Sequence, residues 1–197
     1  MALHSSRSRL GDFARSALLA LGLALSVGTI AAPSEVAAQE GAPGSLKDSS
    51  PQDRPQMISF FTGFQFNRYI SYGFPLTLGG RYYFPIVPNG FIPSLNDEFG
   101  IEGGIDFLLL FGDRTFFGFG IPVDAMWSFH FTPNFDAYAK IGFIFGNVFG
   151  RDYYYSNTGF WFDFRPAVGL RLKINDALFF RAEVGYPSIM AGLGFAF

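Results

Sequence analysis

The most constraining feature of the sequence is a two-residue alternation of side-chain type that runs from residue 57 to residue 197. It is clearest in the last nine residues. Because side chains of a strand point alternately to opposite faces, one face there is purely apolar and the other carries methionine and small residues. The apolar face consists of Ile189, Ala191, Leu193, Phe195 and Phe197. Such a strand suits a surface that contacts lipid.

The composition supports a membrane protein in which apolar residues alternate with small or polar residues and do not form long runs. The chain is 49% hydrophobic but only 15% charged, where soluble domains usually carry about 25% charged residues. After residue 38, no apolar run approaches the roughly 18 residues that a spanning helix needs. The longest conspicuous run is Phe107–Phe111. Since only helices and closed barrels satisfy their backbone within lipid, the pattern predicts a transmembrane β-barrel.

Charge and cysteine content exclude several classes of partner and site. The net charge is −2, which does not favour nucleic acid as a partner. The chain contains no cysteine, so disulfides, thiolate metal sites and lipoprotein acylation are excluded. We expect no cofactor.

Two segments precede the alternating region. Residues 1–38 combine early arginines, an uncharged run over 16–32 and small residues at 36–38, which predicts a cleavable signal peptide; an uncleaved anchor is the alternative. Residues 39–56 are rich in Pro, Gly, Ser and charge. They predict a disordered periplasmic leader, with a short docking segment as the alternative.

Eight alternating segments follow, and each predicts one strand of an antiparallel up-and-down barrel over residues 57–197. They are Ile58–Phe66, Pro75–Phe84, Phe99–Phe111, Phe116–Phe131, Phe135–Phe145, Phe160–Lys173, Leu178–Tyr186 and Ile189–Phe197.

The connections between these segments differ in length. Thr132-Pro133-Asn134 and Asn175-Asp176 are tight polar turns, whereas the link over residues 147–159 is the longest. Outer-membrane barrels place short turns on the periplasmic side and longer loops outside the cell. The fit is partial, because two of the predicted outer loops are very short and one inner link is long.

Residues 57–197 resemble the small outer-membrane β-barrel families typified by OmpA and OmpX. The resemblance rests on the terminal Phe197 with its alternating apolar residues, on the turn Phe131–Phe135, and on the strand Phe180–Tyr186. It implies an eight-stranded antiparallel barrel in a Gram-negative outer membrane. It also implies insertion by the barrel assembly machinery through the strand that ends at Phe197.

Alternation alone does not decide which face meets the surroundings. A lipocalin-like soluble barrel would place the apolar face inside, around a ligand. The polar face here is rich in glycine and small residues, which suits the crowded interior of an eight-stranded barrel better than a surface in water. We therefore expect a lumen filled by polar side chains, without a wide pore. The predicted network consists of Arg81, Glu102, Asp106, Asp124, Lys140, Asp163, Arg165, Arg171, Arg181 and Glu183.

The charges of this network balance, and they still balance when Asp136 and Lys173, also on the predicted inner face, are included. Unpaired buried charges are expensive, so each should have a partner. We expect Lys140 to lie near Asp124, and Glu183 to lie near Arg171 and Arg181.

Catalytic constellations are scarce. Ser128 and His130 share a face, and some outer-membrane barrels that modify lipid A use serine and histidine. However, His130 precedes a predicted inner turn and faces the lumen, so we expect a hydrogen bond there instead. The carboxylate pairs Glu102/Asp106 and Asp124/Asp136 resemble glycosidase pairs, but balanced cations favour a structural network. No metal site is predicted.

The sequence therefore favours a small, non-enzymatic barrel with a structural or surface-interaction role. Tyr72, Arg151, Tyr153, Tyr154 and Tyr155 lie in predicted outer loops and are candidates for external contact, with an interfacial aromatic girdle as the alternative. We expect a monomer surrounded by outer-membrane lipid. A lipid-modifying outer-membrane enzyme and a soluble lipocalin-like ligand-binding barrel are the alternative functions.

Overall fold

A computed structural model describes residues 42–66, 74–111, 116–150 and 159–197. The predicted signal peptide lies outside these residues. Eight strands account for most of the described chain. They are β1 (Met57–Gln65), β2 (Phe74–Val87), β3 (Asp97–Phe111), β4 (Phe116–Thr132), β5 (Phe135–Gly150), β6 (Phe160–Lys173), β7 (Leu178–Gly185) and β8 (Ser188–Ala196).

The eight strands form a closed antiparallel barrel in which each strand pairs with the next along the chain. β1 closes the barrel by pairing with β8, where Met57 lies opposite Ala196. The predicted fold class and strand number are confirmed. β2 and β5 are longer than predicted, reaching Val87 and Gly150, because neither Pro85 in β2 nor Gly146 and Asn147 in β5 ends the strand.

Side-chain exposure follows the predicted period of two. Along β1, buried and exposed residues alternate without exception. Large apolar side chains face outward and remain exposed, as Phe60 at 60% and Phe143 at 48% illustrate. Most charged side chains of the strands face inward, where Glu102 and Asp124 are 0% and 1% exposed.

The barrel has two distinct ends. The turn end carries the β2–β3, β4–β5 and β6–β7 connections, the C-terminus and residues 42–56. The loop end carries the β1–β2, β3–β4, β5–β6 and β7–β8 connections.

Strands β5–β8 finish level at the turn end but not at the loop end. Around the turn end, pairing joins Phe135 to Leu172, Lys173 to Phe179 and Leu178 to Phe195. Differences in strand length therefore appear at the loop end. We call β3–β6, with 14 to 17 residues each, the tall wall. We call β7, β8 and β1, with eight or nine residues each, the short wall.

Residues 42–56, which belong to the predicted leader, contact the turn end. The side-chain amide of Asn96 donates to the Ser45 carbonyl at 3.1 Å, and the Asn96 backbone N–H donates to the Leu46 carbonyl at 2.7 Å. The Gln52 N–H donates to the Asn89 side chain at 2.9 Å. Backbone groups of the β2–β3 connection thus find partners in a segment whose composition lacks an apolar pattern.

Within the described residues, no helix is long and apolar enough to cross a membrane.

Candidate functional site

The inward faces of β2–β7 bring nearly all the charged residues of the predicted network into the barrel lumen. Nine of the ten predicted side chains are buried there, and Asp163, at a lumen-facing position in the loop half of β6, is partly buried. The buried ones form a central cluster, a separate ion pair and part of a cluster at the turn end.

Lys140 is the hub of the central cluster. Its Nζ lies 2.7 Å from Glu102 Oε1, 2.7 Å from Glu183 Oε2 and 3.4 Å from Asp124 Oδ2. These contacts join strands β3, β4, β5 and β7 across the lumen. One cation therefore partly neutralises three buried carboxylates. Buried charges need such partners because no water solvates them.

Two arginines complete the neutralisation of the same carboxylates. Arg165 donates from Nη1 to Asp124 at 2.8 Å and from Nη2 to Glu183 at 2.6 Å. Arg181 donates to Glu102 Oε2 at 2.5 Å. Three cations thus face three carboxylates, and the central cluster is neutral.

Arg181 also stacks on aromatic rings. Its guanidinium carbon lies 4.8 Å from the Tyr138 ring centroid and 4.9 Å from that of Phe61. Cation–π contacts of this kind strengthen when they are removed from water. Tyr138 in turn lies over Gly169 of the neighbouring strand, where an added Cβ would meet its ring at 2.3 Å.

Arg81 and Asp106 form the separate ion pair, on neighbouring strands β2 and β3. Arg81 Nη1 and Nη2 lie 2.7 Å and 2.8 Å from the two carboxylate oxygens. Nη2 donates a hydrogen bond to Asp106 Oδ2, whereas Nη1 donates to the carbonyls of Gly80 and Ile105.

The turn-end cluster includes residues that the sequence analysis left out of the predicted network. Arg171 contacts Asp136 at 2.6 Å and Glu98 at 3.1 Å. His130 Nδ1 lies 2.7 Å from Asp136 Oδ1. Arg54 of the leader reaches Glu98 at 3.7 Å. Extending the even-numbered face of β3 by one more position would have identified Glu98.

The contacts of Lys140 and Glu183 match some of the predicted ion pairs and differ from others. Lys140 lies near Asp124, and Arg181 lies 3.9 Å from Glu183. Arg171, expected beside Glu183, instead contacts Glu98 and Asp136. The inward placement of Lys173 is wrong, because its side chain is 43% exposed and pairs with Asp176 in the β6–β7 turn. The last position of a strand lies at the rim, where a long side chain reaches water.

The docked leader carries two charged groups in defined environments. Asp48 accepts hydrogen bonds from Ser50 Oγ at 2.5 Å and from the Gly44 N–H at 2.6 Å. These bonds hold the pKa of Asp48 below its ordinary value. Burial lowers the pKa of Arg54, and the Glu98 carboxylate opposes this change.

A cavity of about 310 Å³ lies at the turn end between the leader and the turn-end cluster. Its lining includes Arg54, Glu98, His130, Asp136 and Arg171. His130 Nε2 lies 3.8 Å from Glu98 Oε1 and makes no hydrogen bond. Among the described residues, no cluster of His, Asp or Glu has the geometry to hold a metal ion.

Ser128 and His130 do not form a hydrogen-bonded pair in the described part of the chain, where Ser128 Oγ is buried and has no hydrogen-bond partner. The carboxylates of the pairs Glu102/Asp106 and Asp124/Asp136 each contact an arginine or a lysine. Tyr72, Arg151, Tyr153, Tyr154 and Tyr155 lie outside the described residues.

In the tall wall, most inward side chains of the loop half are apolar. Five inward side chains pack there into one buried cluster, which consists of Leu108, Leu110, Ile144, Val148 and Trp161.

Comparisons with known proteins support the fold. The N-terminal β-barrel domain of Pseudomonas aeruginosa OprF superposes with a TM-score of 0.50 at 17% identity, covering 74% of this chain and 98% of that one. A designed transmembrane β-barrel superposes with a TM-score of 0.50 at 12% identity, over 74% and 98%. Yersinia pestis Ail gives a TM-score of 0.49 at 14% identity, over 73% and 97%. The chain therefore has the fold of small outer-membrane barrels. No protein-family model and no curated protein matches its sequence.

Proposed function

We propose that this chain is a small, non-enzymatic outer-membrane β-barrel whose lumen is filled by side chains. Its role is structural, or one of surface interaction through the connections at the loop end. The turn end faces the periplasm and the loop end faces the exterior, as the short turns favour.

The distribution of side chains around the barrel wall carries this proposal. Large exposed apolar side chains occur on every strand except β7, whose outward side chains are half-buried; examples are Phe60, Leu78, Ile101, Val123 and Phe162. Soluble monomers rarely expose contiguous apolar patches of more than a few hundred Å². A continuous apolar wall with a buried, neutralised charge network inside is the arrangement that lipid stabilises.

The filled lumen argues against a wide pore. Lys140, Arg165 and Arg181 occupy its centre, and Leu110 and Trp161 occupy its loop half. Eight strands leave an interior that side chains just fill. In planar bilayers, we expect no conductance steps of porin size. Stable steps of that size from the folded protein would contradict the filled lumen.

Fractionation of native cells combined with heat-modifiable gel mobility tests the location and the fold together. We expect the mature chain in the outer-membrane fraction, migrating faster when unheated because the barrel resists detergent. A freely soluble chain that needs no detergent would instead favour the lipocalin-like alternative. Outer-membrane lipid and the barrel assembly machinery, acting through the strand that ends at Phe197, are the partners that this proposal implies.

The lipid-modifying enzyme is tested by lipid A acylation assays of the chain and of His130→Ala. We expect no activity from either protein. Activity that depends on His130 would overturn the non-enzymatic role. Surface interaction is proposed for the connections that contain Tyr72 and residues 151–155.

A further inference from the structure

Near the loop end, the tall wall is apolar on both faces. Inward-facing Leu110, Val148 and Trp161 are 1%, 4% and 4% exposed. Outward-facing side chains at the same level are exposed phenylalanines, namely Phe111, Phe117, Phe149 and Phe160. We call these four phenylalanines the rim. Continuous apolar runs are typical of strands that are covered on both faces.

Strand length places the rim beyond the lipid, and this step rests on the proposed function. A strand rises about 3.3 Å per residue and tilts by about 40° in such barrels. The 16-residue β5 therefore spans about 40 Å along the barrel axis, and the eight-residue β7 spans about 20 Å. The apolar band of an outer-membrane barrel is about 25 Å tall. Because β5 and β7 finish level at the turn end, the additional length of β5 lies at the rim.

The height difference is visible in the register between β6 and β7. β7 pairs with β6 only from Ala167, which lies opposite Gly185, to Lys173. Residues 160–166 of β6 therefore rise past the end of β7. The short wall matches or falls below the thickness of the apolar band, so lipid alone covers its apolar residues.

The outer face of the tall wall is an ordered aromatic surface here. Phe117 stacks with Phe107 at a centroid distance of 6.2 Å and with Phe149 at 6.5 Å. Phe149 also stacks with Phe119 at 6.1 Å, and all three ring pairs are inclined by 22°. Interfacial girdles favour tyrosine and tryptophan, whose polar groups meet water. Phenylalanine has no such group, so a covering partner stabilises this surface more than water does.

We propose that a second copy of this chain covers the rim, forming a parallel dimer through the two tall walls. Two copies in one membrane hold their rims at the same height. Their facing surfaces carry no charge that would repel, since the outward positions 105, 107, 109, 111, 117, 119, 143, 145, 147, 149, 160 and 162 are all uncharged.

The available area is close to what an interface of standard size uses. A half-exposed phenylalanine offers about 100 Å². The rim together with Phe107, Phe145 and Phe162 therefore offers about 700 Å², compared with about 800 Å² per partner in stable complexes. This proposed dimer differs from the monomer expected from the sequence, and the experiments below decide between the two.

The cysteine-free chain allows a direct crosslinking test in native membranes. Phe149→Cys places a thiol on the rim, and Phe66→Cys places one near the loop end of the short wall, where Phe66 is 42% exposed. With a short thiol crosslinker, we expect at least fivefold more dimer from Phe149→Cys. Tenfold dilution with lipid in proteoliposomes should leave that yield nearly unchanged. Equal yields at both positions, or no dimer from a folded Phe149→Cys protein, would overturn the proposal.

A second variant tests the rim without crosslinking chemistry. The double substitution Phe117→Ser/Phe149→Ser should abolish the dimer on native gels, while Phe66→Ser should retain it. A dimer that survives the double substitution would contradict the interface. If the double variant does not fold, the crosslinking result still decides the question. Heat-modifiable mobility and membrane fractionation on the same samples report separately on the proposed outer-membrane location.

Discussion

The two halves of the lumen are built from the same strands but filled with different chemistry. In the turn half, β3, β5 and β6 contribute Glu102, Lys140 and Arg165 to a neutral cluster of buried charges. In the loop half, the same three strands contribute only apolar side chains to the buried cluster that contains Leu110, Val148 and Trp161.

The difference follows from how many strands surround the lumen at each height along the barrel axis. In the turn half, all eight strands surround the lumen, so a buried charge finds partners on several sides. Arg181 of β7, for example, reaches Glu102 of β3. In the loop half, the short wall has ended, so fewer strands can offer a charged partner to a side chain of the tall wall. Apolar side chains that pack against each other need no such partners.

The largest effect is expected from removing the hub of the charged half. Lys140→Met leaves one uncompensated negative charge among Glu102, Asp124 and Glu183, and should destabilise the barrel by about 3–5 kcal/mol. Urea unfolding in detergent, followed by the gel-mobility shift, measures this. The matched control Lys173→Met removes an exposed lysine and should cost about 1 kcal/mol or less. Similar losses for both variants would contradict a dry, coupled network.

A cavity in the apolar half should have a smaller effect that does not depend on charge. Leu110→Ala removes a side chain that is 1% exposed and should cost about 2–4 kcal/mol. Leu172→Ala, on the outward face, is the control and should cost about 1 kcal/mol. The same unfolding assay compares them. Equal losses would mean that the loop half is not packed as a core.

The contact between the Tyr138 ring and Gly169 provides a test with a smaller expected effect within the charged half. Gly169→Ala would push Tyr138 away from its place beside Arg181 and should cost about 1–3 kcal/mol. Gly80→Ala is the control, because nothing lies within 4 Å of its added Cβ, and should change stability by about 0.5 kcal/mol or less. Chemical unfolding of both variants checks the difference. An unchanged free energy of unfolding in Gly169→Ala would show that the position of Tyr138 does not hold Arg181 in place.

The smallest effect concerns the docked leader. The pKa of Asp48 is lowered by its hydrogen bonds, so this carboxylate stabilises the leader above its ordinary pKa and stops doing so as the pH falls through the lowered value. Asp48→Asn should mimic the acid form and increase trypsin cleavage after Lys47 at neutral pH. Asp53→Asn is the control. Unchanged cleavage in Asp48→Asn would contradict the folded leader.

Most of the fold could be predicted because period-two alternation assigns both faces of a strand at once. The inward placement of Glu102 or Asp124 needs only the parity of its position. Strand ends were less predictable, since Gly146 and Asn147 interrupt the apolar pattern inside β5. The contacts of the leader with the turn end were not predictable, because hydrogen bonds to backbone, such as that from Asn96 to Ser45, leave no hydrophobic periodicity.

The individual ion pairs were less predictable than the faces. Contacts across the lumen depend on the stagger between strands, which composition does not encode. Arg171 therefore pairs with Glu98 and not with Glu183. Glu98 was not predicted to face inward because the predicted strand began one residue later, at Phe99.

The two tryptophans of the chain test directly which face of the barrel wall meets lipid. Trp127 lies at an outward position of β4, and Trp161 is buried at an inward position of β6. In liposomes of brominated lipid, the fluorescence of Trp127 in the Trp161→Phe variant should be strongly quenched. That of Trp161 in the Trp127→Phe variant should be nearly unaffected. Stronger quenching of Trp161, or no quenching of Trp127 in a folded and reconstituted protein, would contradict a barrel with its apolar face in lipid.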